Sequence, residues 1–188
     1  MDRLQKITVL TRLVERLKAH ESWCGETHIQ KATLFLQELF EVPTDFEFIL
    51  YKHGPFSFDL RDELVAMRAD MVLEMFPTDP YGSSWRITEN ATRIQSFHKQ
   101  TLAKYGEAIE FVARKTGGKN VGELERLATA LWVTRREKKF STDEERAERI
   151  HQLKPHVSVE AALGALAQLQ EIERDARCLS ATGSSSVG

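Results

Sequence analysis

The sequence predicts a mainly α-helical protein with a small antiparallel β component, organised as a winged-helix-like N-terminal half followed by a helical C-terminal half. Three observations support this fold class. Apolar residues recur every three or four positions over most of the chain. Short segments rich in aromatic and β-branched residues occur only between Phe46 and Thr88. Capping patterns and glycine or proline breaks separate the periodic segments.

The first half begins with two predicted helices. The first is expected from about Asp2 to His20, and the second opens with a capping-box pattern at Thr27 and ends before Pro43. The aromatic segment 46–51 is expected to be a strand, because its residue types favour a half-buried pleated surface. The chain therefore passes from two helices into a strand before its third helix.

A turn and a wing complete the first half. Gly54 and Pro55 predict a structural turn, and Ser57 is placed to cap a third helix whose buried side carries leucines and a methionine. Segments 71–76 and 85–88 are expected to be antiparallel strands, joined by a loop at 77–83. A strand–loop–strand directly after a helix is typical of a wing.

The second half is expected to be helical throughout. One helix should run from Glu89 to about Lys104, with a kink at Gly106 and a stop at Gly117 and Gly118. Further helix starts are predicted at Asn120, at Ser141 and, for the last helix, at Ser158. The expected organisation is a module at 1–88, a helical domain or extension at 89–179 and a flexible tail at 180–188.

The composition is that of a folded protein without a strong charge bias. The chain has 188 residues, 26 basic and 28 acidic, with a net charge of −2. This balance excludes wholesale disorder, and it does not demand a polyanionic partner such as DNA, RNA or an anionic membrane. The N-terminal apolar run is too short for a signal peptide, and no window approaches the ~20 apolar residues of a membrane span. The expected location is the cytoplasm, with no membrane association.

Two sequence patterns resemble a known family. They are Ile29-Gln30-Lys31 inside an apolar helix, and Tyr51-Lys52-His53-Gly54-Pro55-Phe56-Ser57 after an aromatic strand. Together they resemble the YwgA-like family of bacterial proteins and, more distantly, the Panacea-type antitoxin domain, over about residues 1–95. Trp85-Arg86-Ile87-Thr88 resembles the family's closing stretch, although Ala91 stands where members carry glycine. The resemblance implies a winged-helix-like fold and a regulatory or toxin-neutralising role, and it carries over no catalytic residue.

The third helix is the first candidate for a functional surface. A DNA-recognition helix presents Arg, Lys, Asn or Gln to base edges. This helix offers Arg61 and Arg68, which are two turns apart and share a face. It also carries more acidic groups than basic ones, which repel phosphate: Asp59, Asp62, Glu63 and Asp70. Protein contact is therefore the favoured use of this helix, and DNA recognition stays open as the alternative.

Two other basic sites are candidates for partner or nucleic-acid contact. Lys52 and His53 precede Gly54 and are candidates for a small anion site, against the simpler interpretation of a structural turn. The most basic stretch of the chain is expected either to be a solvated helix end or to contact a phosphate or a partner. Its four cations are Arg135, Arg136, Lys138 and Lys139.

The sequence offers no recognisable catalytic centre. The six histidines show no metal-ligand spacing, and the two cysteines, Cys24 and Cys178, lie far apart without a CxxC motif. No nucleophile elbow, dinucleotide fingerprint or phosphate loop occurs. We therefore expect no enzyme activity, no metal and no cofactor. The hypothesis is a non-enzymatic regulatory module of antitoxin or defence-associated type that binds a partner protein such as a toxin or defence effector.

The last helix raises the question of a homodimer. Its apolar residues cover about half of its circumference, which is too wide for a lone surface helix. The residues are Val159, Ala162, Leu163, Leu166, Leu169 and Ile172. This stripe must be buried either within its own domain, which is the default, or against a second copy of the chain.

Overall fold

The structure, a computed structural model, describes residues 1–78 and 82–183. Within these ranges the chain is mainly helical with two small two-stranded sheets, which confirms the predicted fold class. The helices are α1 (Arg3–Ala19), α2 (Glu26–Phe40), α3 (Phe58–Ala69), α4 (Glu89–Phe97), α5 (Lys99–Thr116), α6 (Val121–Arg136), α7 (Asp143–Leu153) and α8 (Val159–Gly183). The strands are β1 (Ile49–Tyr51), β2 (Gly54–Phe56), β3 (Leu73–Thr78) and β4 (Gly82–Ile87). The winged-helix arrangement itself stays a prediction.

The chain forms two compact units that interleave in sequence. The first unit contains Met1–Ile49 and Ser57–Lys119, and the second contains Leu50–Phe56 together with the chain from Asn120 onward. The sequence analysis instead placed a division at residue 88. The difference arises because α4 and α5 pack on α1, and α5 also packs on α2, which joins them to the first unit.

The first unit is organised around α1. This helix is buried on more than one side, because it contacts α2, α4, α5 and β4. Its fully buried residues Leu10, Leu13 and Leu17 form the centre of an apolar core to which α2 and α3 also contribute. The third helix lies against α2 and β3. This packing leaves the opposite face of α3 exposed.

The second unit is a three-helix assembly with a hairpin. Helices α6, α7 and α8 contact one another, and β2 packs on α6. The apolar stripe of α8 is buried here, with Ala162, Leu166, Leu169 and Ile172 all nearly inaccessible. Burial within the unit removes the uncovered stripe that motivated a homodimer through this helix, and the homodimer stays a prediction without that support.

Local signals set several helix boundaries as expected. Asp2 caps α1, and Asn120 forms the predicted capping box with Glu123 at the start of α6. Ser158 accepts a hydrogen bond from the amide of Ala161 at the start of α8, at 3.2 Å. These patterns involve residues three positions apart, so they are recognisable without knowledge of the tertiary structure.

Two helix starts differ from the prediction. The second helix begins at Glu26 after Gly25, so Thr27 lies inside it and does not cap it. The capping box of α7 joins Thr142 to Glu145, one position later than the start predicted at Ser141. Cys24, two residues before this helix, has a φ of 56°.

The first predicted strand is shorter than expected. The aromatic segment 46–51 forms a strand only at Ile49–Tyr51. The side chain of Gln37 donates to the carbonyl oxygen of Phe46 and accepts from its amide, both at 3.1 Å. Because this amide side chain satisfies the backbone of Phe46, that residue has no need of a neighbouring strand.

The turn predicted at Gly54 and Pro55 lies two residues earlier in the structure. Lys52 and His53 form the turn, while Gly54–Phe56 forms β2 and pairs with β1. Proline is tolerated in such an edge strand. Gly54 has a φ of +82°, and an added Cβ would lie 3.0 Å from the Thr129 hydroxyl oxygen. Glycine is therefore favoured at this position by the positive φ and by the close approach of α6.

The region after α3 contains the expected pair of strands, although residues 77–78 and 82–83, which were predicted as loop, belong to them. β3 and β4 are antiparallel, with Leu73 opposite Ile87 and Met75 opposite Trp85. Residues 79–81 of the predicted loop lie outside the described residues. The single helix expected at 89–104 is instead two, α4 and α5, separated at His98, and Gly106 lies inside α5. The chain breaks there because α4 packs on β4 whereas α5 packs on α2.

The predicted tail overlaps the end of α8. This helix continues to Gly183, so residues 180–183 are helical. Residues 184–188 of the predicted tail lie outside the described residues.

Candidate functional site

The start of α3 is held by a buried glutamine. The side-chain oxygen of Gln30 accepts from the Ser57 amide at 2.9 Å, and its nitrogen donates to the Ser57 carbonyl oxygen at 2.8 Å. The hydroxyl of Ser57 in turn accepts from the amide of Leu60 at 3.2 Å, which confirms the predicted cap. Gln30 and Ser57 belong to the two patterns that carry the family resemblance. The contact therefore joins both patterns into one structural feature that orients α3.

The outward face of α3 has an apolar centre. Leu60, Leu64 and Met67 are buried on the core side of this helix. On the other side Phe58 is 38% exposed and Val65 is 58% exposed. These two residues are seven positions apart, so they lie in one row along the helix.

The two arginines of α3 form a second row beside the apolar one. The guanidinium of Arg61 pairs with Asp62 at 3.1 Å and lies over the Phe58 ring at 4.9 Å. Arg68 is exposed and has no ion pair among the residues that the structure describes. The helix thus presents an apolar row, Phe58 and Val65, next to a basic row, Arg61 and Arg68. We call these two rows the α3 surface.

Two of the acidic groups of α3 are neutralised from α1. The guanidinium of Arg3 donates to Glu63 at 3.0 Å and to Asp70 at 2.7 Å. These carboxylates were expected to repel phosphate, but they are paired with Arg3, which is sixty or more residues away in the chain. No local pattern could have revealed this contact. The negative field near α3 is therefore weaker than its own residues suggest.

The basic stretch at the end of α6 is partly engaged. Arg135 pairs with Glu173 of α8 at 2.8 Å, and Arg136 lies over the Trp132 ring at 5.5 Å. Lys138 and Lys139 are exposed. Two of the four predicted contact residues are thus held by neighbours within the second unit, and the two lysines face solvent.

The predicted anion site has a carboxylate as its neighbour. His53 Nδ1 lies 3.8 Å from Glu125 Oε2, while Lys52 is exposed at the turn. A carboxylate that close disfavours an anion at this position. His53 itself is 74% exposed in its side chain.

A buried ion pair, which the sequence analysis did not identify, lies beneath this turn. Lys154 Nζ is 3.3 Å from Glu125 Oε1, and both side chains are less than a tenth exposed. The same ammonium donates to the carbonyl oxygen of Tyr51 at 2.7 Å and to that of Lys52. His156 Nε2 lies 3.5 Å from Glu125 Oε1. The β1–β2 hairpin is thereby fastened to α6 and to the segment after α7.

This cluster gives no support to a nucleophilic mechanism. Neither His53 nor His156 has a hydrogen bond to a serine, threonine or cysteine within residues 1–78 and 82–183. The Lys154 ammonium donates to two carbonyl oxygens, and its contact with Glu125 is an ion pair at 3.3 Å without a hydrogen bond. The position of Glu125 between Leu124 and Leu127 in an apolar helix was the only sequence signal of its burial.

Two titratable side chains in the first unit, Cys24 and Glu110, have shifted pKa values. Burial raises the pKa of the Cys24 thiol to about 12, whereas Cys178 is exposed. Hydrogen bonds from Arg16 and then from His20 hold the pKa of Glu110 at about 2.

No group of three or more metal-ligating side chains is found among the described residues. In the same ranges no helix combines the length and the apolar character needed to span a membrane.

Within residues 1–78 and 82–183, α3 thus carries exposed apolar side chains beside two arginines, and the second unit contains a buried polar cluster at Glu125. Comparison of the chain with protein-family models and with curated proteins finds no match.

Proposed function

We propose that this protein is a non-enzymatic regulatory module, of the antitoxin or defence-associated type, that acts by binding a partner protein through the α3 surface. The observation that carries the proposal is the exposed apolar row of Phe58 and Val65 at the centre of that surface. An apolar row bordered by charged groups is the usual composition of a protein-binding face. The orientation of α3 by Gln30 and Ser57 gives this face a rigid support.

The same row argues against base recognition as the primary use of α3. Valine and phenylalanine at the centre of a recognition face cannot form the paired hydrogen bonds that distinguish bases in the major groove. Arg61 is already engaged with Asp62, which would have to be displaced before the guanidinium reached a phosphate or a base. A protein partner can instead bury the apolar row and leave that ion pair at the rim.

Affinity capture from the source cells tests the proposal. The full chain is compared with Val65→Gln and with Val121→Gln, the same change at another exposed valine on α6. We expect a specific partner protein to be retained by the unmodified chain and by Val121→Gln, and to be lost with Val65→Gln. Equal recovery with all three proteins would contradict binding through α3.

DNA binding by the same helix is the second candidate function. Two features favour it: Arg61 and Arg68 lie on one flank of α3, and Arg3 neutralises two of the acidic groups. Fluorescence titration with duplex DNA from the protein's own promoter region, at about 150 mM salt, decides this point. We expect weak binding with little sequence preference, more sensitive to Lys138→Ala and Lys139→Ala than to Arg61→Ala or Arg68→Ala. Nanomolar, sequence-selective binding that is lost with Arg61→Ala or Arg68→Ala would establish the DNA-binding regulator instead.

A further inference from the structure

The two rows of the α3 surface define the kind of partner that fits it. This inference rests on the proposed function, and it adds the chemistry of the bound segment. We infer that the partner presents an amphipathic helix with an apolar row and, along one edge of that row, carboxylate side chains. The apolar row would cover Phe58 and Val65, and the carboxylates would face Arg61 and Arg68.

The spacing of the rows is the first argument. Phe58 and Val65 are separated by seven residues, and so are Arg61 and Arg68. Both rows therefore run parallel to the axis of α3 for two turns. A partner helix that packs along α3 also presents side chains at seven-residue intervals. Such a helix can therefore contact both rows at once.

The charge of the basic row is the second argument. Arg68 is exposed and has no ion pair within the described parts of the chain, and the side chain of Arg61 is 46% exposed. Covering Arg68 with an apolar or basic partner would remove water from its guanidinium without compensation. A carboxylate restores the lost interaction and forms a charge-assisted hydrogen bond with the planar guanidinium.

The acidic groups of α3 do not reverse this preference. Glu63 and Asp70 are held by Arg3, and Asp62 is paired with Arg61. Asp59, in the first turn, is the acidic group of this helix without an ion pair in the described ranges, and it lies where the positive end of the helix dipole compensates it. The unpaired charge adjacent to the apolar row is therefore that of Arg68.

Three synthetic helical peptides of about 16 residues test whether the α3 surface binds such a helix. The first has a leucine row flanked by glutamates, the second has lysines in place of the glutamates, and the third keeps the glutamates but has alanines in place of the leucines. Fluorescence anisotropy with the full chain measures each affinity. We expect the first peptide to bind at least about tenfold more tightly than either of the others, and to weaken as salt is raised.

A charge-reversed chain provides the decisive comparison. Arg61→Glu combined with Arg68→Glu should reverse the preference between the glutamate and lysine peptides. Lys138→Glu combined with Lys139→Glu changes the net charge equally at another exposed site and should leave the preference intact. Equal binding of the two charged peptides, or no binding by any of them, would overturn the inference. If partner capture still depends on Val65 in that case, the proposed function stands and only the partner's chemistry is wrong.

Discussion

The side-chain amide of Gln30 makes two hydrogen bonds to the backbone of one residue, Ser57, twenty-seven positions later in the chain. Gln30 is fully buried, and Ser57 is the N-cap of α3. The helix that carries the candidate surface therefore begins at a point fixed by α2.

Replacement of Gln30 by leucine should destabilise the protein by roughly 1–3 kcal/mol, because it leaves the buried amide of Ser57 without its partner and removes one of the hydrogen bonds to the Ser57 carbonyl oxygen, which also accepts from the Arg61 amide at 3.2 Å. Chemical denaturation followed by circular dichroism measures the free energy of unfolding. Gln168→Leu, on the exposed side of α8, is the matched control and should have little effect. An unchanged stability for Gln30→Leu would show that the Ser57 backbone finds other partners.

The Glu125–Lys154 ion pair should behave as a coupled unit. Lys154→Met or Glu125→Leu alone removes the ion-pair partner of a buried charge, with an expected cost of about 3–5 kcal/mol. The double variant should cost clearly less than the sum of the single variants, since no unpaired charge remains. A double-mutant cycle on the free energy of unfolding measures the coupling. Additive single effects would mean that the two side chains do not interact in solution.

Glu110 should make stability depend on acid pH. Its pKa of about 2 lies below the ordinary value of 4.5, so its contribution to stability is present above pH 4.5 and is lost as the pH falls towards 2. Water screens this partly exposed carboxylate, so the contribution is about 1 kcal/mol or less. Glu110→Gln should flatten the stability profile between pH 4.5 and 2, whereas Glu107→Gln, one turn earlier and without an ion pair in the described ranges, should not. An identical profile for Glu110→Gln would contradict the pairing with Arg16 and His20.

The two cysteines should differ sharply in reactivity. The thiolate is the reactive form, and burial raises the pKa of Cys24 to about 12, so this thiol should resist alkylation at pH 8 in the native protein. Cys178 is exposed and should react readily. Mass spectrometry after iodoacetamide treatment should show one adduct in native protein and two after denaturation. Rapid double labelling of native protein would mean that the core around Cys24 opens.

The features recognisable from the sequence are those that depend on neighbouring residues. The capping box of Asn120 and Glu123 spans three positions, and the helix stop predicted at Gly117 agrees with the end of α5 at Thr116. The apolar periodicity of α8 correctly indicated a buried face. The segment 46–48 was predicted as strand because its residue types favour one, but the side chain of Gln37 satisfies the backbone of Phe46 instead.

The sequence by itself determined the fold class, the positions of most helices, and the interval that contains the strands in the described residues, because periodicity and capping are local properties of the chain. Only the tertiary structure decided which charges are paired and which surface is uncovered. Arg3 meets Asp70 across sixty-seven positions, and Lys154 reaches the carbonyl oxygen of Tyr51 across more than a hundred. Contacts between residues so far apart follow from how helices pack, and no short sequence pattern encodes them.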